Sequence, residues 1–192
     1  MNAKQFAALL VELKACSEAR EWASGKSLAA VWKTCKRGDW LLWLCGKMAD
    51  KPNWPTHKEV VLAACDCAEL SLKHVPPGEE RPRKCLETVR AWAAGNATID
   101  EVRTARRDAA CAAAAADAAA DAAAAYAAAD AAYADAAYAA YAAYAAANAA
   151  AAANAANAAA YTARTKTLVK CAILVRKRLK IGKGVLYQKE SV

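Results

Sequence analysis

Between Ala109 and Ala160, 39 of 52 residues are alanine. No glycine or proline occurs from Ala97 to Ile181. Alanine is the best helix former because its side chain has no rotamer entropy to lose. The run therefore predicts one very long α-helix, or a few helices broken near the asparagines. At about 1.5 Å per residue it would extend roughly 80 Å, so it reads as a rod or a hairpin arm.

Helical spacing sorts the minority residues of the run. Tyr126, Asp130, Tyr133, Tyr141, Tyr144 and Asn148 fall on one side, and Asp117, Asp121 and Asp135 fall roughly opposite. Alanine methyls bury little area, so the tyrosines would supply most of the burial. The expectation is a structural arm or a coiled-coil-like dimerisation element, ahead of a ligand-binding tyrosine ladder. Two chains pairing along the run, or a fold-back between Asn148 and Asn157, would each cover the tyrosine side. The recurring Asp excludes a membrane span.

Charge is unevenly placed. Residues 1–97 carry a net +4, residues 98–161 a net −4 and residues 162–192 a net +8. All six Trp lie at or before Trp92. These shifts divide the chain into a Trp-rich helical domain (1–97), an Ala-rich arm (98–161), and a basic amphipathic helix with a short tail (162–192). The expected fold class is all-α.

Local signals place the helices. Residues 3–23 read as one helix with Phe6, Leu9, Leu10, Leu13 and Cys16 on one face. Ser27 caps a helix over Leu28 to Arg37. Gly38 suits a left-handed C-terminal cap, and Asp39 an N-cap. Trp40 to Met48 is apolar all round, so it should be the central buried helix. Thr56-x-x-Glu59 and Thr98-x-x-Glu101 are capping boxes. Pro82 fits a first helical turn, with Cys85, Leu86, Val89 and Trp92 as an apolar stripe. Arg164 to Lys180 reads as amphipathic, followed by a mobile tail from Gly182.

The chain opens without a secretory pattern, so its eight cysteines are expected to be reduced and the protein cytoplasmic. Cys65-x-Cys67 and two histidines lack the paired spacing of a zinc site, and no metal or cofactor is expected. No nucleophilic triad, Cys/His pair or phosphate-binding glycine loop is present, so an enzyme is not expected.

Three groups of residues invite partners. Arg37, Asp39 and Trp40 sit in a tight interhelix turn, where a cap and an ion pair compete with a contact site. Arg81 and Arg83 surround Pro82 at a helix start, but Glu79 and Glu80 would repel an anion there. Lys166, Lys170, Arg176, Lys177 and Lys180 could track a nucleic-acid backbone, against the simpler readings of a solvated face or an electrostatic match to the acidic Ala-rich run. The four tyrosines Tyr126, Tyr133, Tyr141 and Tyr144 complete the partner-binding set.

Several stretches carry a resemblance: Trp22-Ala23, Lys26-Ser27-Leu28, Trp32-x-x-Cys35 and Arg37-Gly38-Asp39-Trp40-Leu41-Leu42-Trp43. It continues through Val61 to Ala68, Gly78 to Arg83, Glu87, Trp92, the Ala/Tyr/Asp run and Cys171 to Lys177. Over nearly its whole length the chain resembles a family of immunity proteins of bacteria and phages. The resemblance implies a binding protein that neutralises a toxin or a defence effector by protein contact. It carries over no catalytic residue. Two other functions stay open: a sponge for a small nucleotide-like signal, built from aromatic stacking with Arg37, Arg81 or Arg83, and nucleic-acid binding through the C-terminal helix.

Overall fold

The computed structural model describes residues 1–75, 77–115 and 157–186. Every regular element among them is helical, so the protein is all-α there. The elements are α1 (Ala3–Glu12), α2 (Ser17–Ala23), α3 (Leu28–Thr34), α4 (Gly38–Met48) and α5 (His57–Glu69). A 3-10 turn (Leu72–His74) precedes α6 (Arg81–Ala93), α7 (Ile99–Ala115), α8 (Asn157–Arg178) and α9 (Lys183–Leu186). The Ala-rich run is helical where α7 enters it and α8 leaves it. The expected rod, its hairpin or dimer, and Tyr126, Tyr133, Tyr141 and Tyr144 lie outside the described residues.

Side-chain caps set the starts of α3, α5 and α7. Thr56 and Glu59 exchange side-chain and backbone hydrogen bonds, Thr56 N donating to Glu59 Oε2 at 2.7 Å. Thr98 and Glu101 do the same, at 2.6 and 3.2 Å. Ser27 Oγ accepts from Ala30 N at 3.2 Å.

The expected single helix over 3–23 is instead two. Lys14 takes a left-handed φ of 57°. Ala15 N then donates to Leu10 O at 2.9 Å, and Lys14 N to Val11 O at 3.0 Å. This is a Schellman closure, usually built on glycine, here built on lysine.

A second correction concerns Gly38 and Asp39. Gly38 is not a left-handed cap; it opens α4, whose N-cap is Arg37 in extended backbone (φ −95°, ψ 96°). Asp39 stands inside the first turn, where its carboxylate also faces the helix dipole.

Helix α4 is the central layer. Leu41, Leu42, Leu44, Cys45 and Met48 are buried, while Trp40 and Trp43 are half-buried. α8 lies across α4 and α5, α5 packs on α6, and α6 on α7. Cys171, Ala172, Val175, Leu179, Ile181 and Val185 enter the same core as Phe6, Leu28, Val60, Leu86 and Val102. The expected mobile tail from Gly182 is docked as far as Leu186. Gly182 N donates to Asn53 O at 2.8 Å, and the Met1 amino group to Val185 O at 2.7 Å.

Candidate functional site

Asp39 is 3% exposed and accepts three hydrogen bonds, one of them shared, from one side of the Arg37 guanidinium. Arg37 Nε donates to Oδ1 at 2.9 Å and Nη2 to Oδ2 at 2.7 Å. Arg37 Nη1 reaches Glu18 of α2 at 3.1 Å. The same guanidinium lies 4.3 Å from the Trp40 ring centroid. The hydrogen bond to the Asp39 carboxylate pushes the Arg37 pKa further up, so the fork is always charged. Trp22 stands beside Trp40, with ring centres 6.0 Å apart and planes tilted by 55°.

Glu18, Trp22, Arg37 and Trp40 line one side of an open groove of about 610 Å³. Lys36, Cys35 and Thr34 at the end of α3 extend it, and Arg164, Thr165 and Leu168 of α8 form the far wall. The α8 wall and Lys36 were not singled out by sequence reasoning. Helical spacing places Thr165 and Leu168 on one flank of α8, but nothing local says that this flank meets the α3–α4 turn.

The two available tryptophan faces are partly occupied. Arg37 covers Trp40, and Lys26 Nζ lies 4.5 Å from the Trp22 ring centroid.

Arg81 and Arg83 stand elsewhere. Arg81 pairs with Glu79, and its hydrogen bonds hold the Glu79 carboxyl down at about 2. Arg83 Nε lies 3.7 Å from Glu80. Arg81 and Lys84 line a separate groove of about 520 Å³ between α6 and α7, together with Asp100, Glu101 and Asp108. The two grooves share no lining residue, and the acidic wall of the second opposes an anion.

Of the basic residues on the C-terminal helix, Arg176 differs from the rest. Its guanidinium donates to the carbonyls of Trp32 and Cys35 at the end of α3, and to Ala172 O at 3.1 Å. Burial lowers its pKa. Arg176 therefore ties α8 to α3, whereas sequence spacing had grouped it with the outward lysines. Lys166, Lys170, Lys177 and Lys180 are exposed. Arg178 turns to Asp66 of α5 at 2.5 and 3.0 Å, and Arg90 of α6 reaches Asp66 and Glu69 at 3.3 and 2.7 Å.

Cys16, Cys35, Cys45, Cys65, Cys67, Cys85 and Cys171 are free thiols, and of these all but Cys16 are buried. Burial raises Cys35 and Cys45, and pushes Cys65 and Cys85 up to about 12. A protonated, enclosed thiol is a poor nucleophile. Among the described residues no three His, Cys, Asp or Glu side chains converge on a metal position. No described helix is long and apolar enough to cross a membrane.

Comparison with family models, with curated proteins and with solved structures finds no match to this chain.

Proposed function

We propose that the protein is a non-catalytic inhibitor that neutralises a toxin or a defence effector by direct contact through the Arg37–Trp40 corner. The observation that carries this reading is the pre-set guanidinium. Arginine and tryptophan dominate the energetics of protein interfaces. Here the fork is already ordered by Asp39, Glu18 and Trp40, so little side-chain entropy remains to be lost on binding. Of its five N–H groups, these partners engage three, leaving donors for a partner carboxylate. The resemblance to immunity proteins supports the same class.

The test is a titration of the captured effector's activity with the full chain. Inhibition should be complete near one equivalent. Lys36→Glu, exposed on the groove, should sharply weaken inhibition while the thermal melt stays unchanged. Inhibition at far below one equivalent would mean turnover and overturn the reading.

The concavity of the groove and its cations Lys36 and Arg37 favour a second reading, a sponge for a nucleotide-like signal. With a cation on one face of each ring, such a ligand would be held by charge as well as by stacking. A thermal-shift screen against nucleotides separates the two: absence of any ligand-dependent stabilisation removes the sponge.

A further inference from the structure

The outer face of α8 carries a run of exposed, unpaired lysines. At about 100° per residue, Lys166, Lys170, Ile173 and Lys177 fall within roughly 60° of one another. Lys180 continues the line just past the helix end at Arg178. All four lysines are exposed, and among the described residues none has an ion-pair partner. The contrast with the arginines is direct: Arg37, Arg90 and Arg178 are tied to carboxylates, and Arg176 to backbone carbonyls. The opposite face of α8, through Cys171, Ala172, Val175 and Leu179, is buried in the core. The lysines thus project from a helix whose orientation is fixed on both flanks.

We propose that this face docks on the phosphate backbone of nucleic acid, without reading its sequence. Three considerations select that occupant. Protein interfaces are depleted in lysine and enriched in aromatics, and this face is lysine without aromatics. An interfacial membrane helix needs a broad apolar face, and Ile173, 57% exposed, is the only exposed large apolar side chain described on this one. Phosphates accept lysine as a point charge, whereas base readout calls for forked or amide side chains, of which the stripe has none. The four lysines span about 20 Å along the axis, enough to meet several phosphates of one strand. The site is separate from the Arg37 groove and does not depend on the reading given to it.

The experiment is fluorescence anisotropy of the full chain with a labelled duplex and a labelled single strand, each in two unrelated sequences. Both sequences should bind alike. Four phosphate contacts predict that duplex affinity falls roughly 150-fold between about 50 and 200 mM salt. Replacing Lys166, Lys170, Lys177 and Lys180 together by Gln should remove binding and the salt dependence. A control variant with Lys4, Lys47, Lys73 and Lys84 changed to Gln makes the same change in net charge on exposed sites elsewhere. It should keep most of the affinity. Circular dichroism of both variants should match the parent, because every substituted lysine is exposed. Three results would overturn the proposal: no binding at low salt, equal losses in the two variants, or tighter binding to phosphatidylserine vesicles than to the duplex.

Discussion

A Cβ on Gly38 would stand 2.4 Å from the Cβ of Cys171 and 2.6 Å from the backbone nitrogen of Ala172. The first turn of α4 and the middle of α8 therefore cross with nothing but backbone on the α4 side. Gly38 has an ordinary negative φ, so its value lies in this approach and not in conformational freedom. Gly38→Ala should cost about 3 kcal/mol in urea unfolding, as an overpacked contact that only backbone movement can relieve. Gly184→Ala, where nothing lies within 4 Å, should be nearly neutral. A Gly38→Ala variant as stable as the parent would mean that α8 does not seat here.

That crossing also explains what could be read from the sequence and what could not. The two Thr/Glu capping boxes, the Ser27 cap and the apolar α4 were legible, because each depends on residues within one or two turns. Gly38 was misread because the residue that demands a glycine, Cys171, lies far along the chain in α8. Lys14 was missed because a Schellman turn built on lysine leaves no glycine to see. Arg176 sits at the edge of the polar face of α8, where spacing alone cannot tell a solvated guanidinium from one that reaches the carbonyls of Trp32 and Cys35. The groove was half legible. Arg37 and Trp40 stood out, but Arg164 and Thr165 face them only through tertiary packing.

Arg176 should behave as a structural clamp. Arg176→Met keeps much of the side chain's apolar stem but leaves the Trp32 and Cys35 carbonyls without their donor. Hydrogen bonds from charged groups are worth about 1.5–3 kcal/mol, and the variant should lose stability in that range. Lys177→Met, one residue on and exposed, should lose less than about 0.5 kcal/mol. Equal stability of the two variants would place Arg176 among the solvated residues.

Acid should loosen the start of α7 early. Hydrogen bonds from Thr98 hold the Glu101 pKa below its ordinary value. The sign follows: a depressed carboxyl stabilises the fold above its unfolded pKa, and this contribution is lost as pH falls through the folded value. Amide exchange, corrected for its intrinsic pH dependence, should therefore show falling protection over Ile99 to Val102 below about pH 4.3. In Glu101→Gln that acid-dependent step should vanish, since the amide keeps an acceptor but has no proton to gain. Persistence of the step in this variant would assign it to another carboxyl.

The buried thiols predict a simple reactivity pattern. With Cys16 and Cys111 both replaced by Ser, an aromatic disulfide reagent at neutral pH should find no fast thiol in the folded chain. All six remaining cysteines should react once it is unfolded. A rapid single-thiol reaction in the folded variant would reveal an accessible thiolate and reopen nucleophilic chemistry.

The Arg37–Asp39 pair is open to a double-mutant cycle. Arg37→Ala leaves Asp39, 3% exposed, without the guanidinium that accepts its charge. Removing one partner of a buried pair typically costs 3–5 kcal/mol, and the partial exposure of Arg37 puts the expectation near the lower end, about 3 kcal/mol. Asp39→Ala should cost less, because the freed guanidinium keeps Glu18 and can reach water. The double variant should be no worse than Arg37→Ala alone, giving a coupling of at least about 1 kcal/mol. Independent, additive losses would mean that solvent screens the pair. The corner would then lack the fixed guanidinium on which the proposed contact with an effector rests.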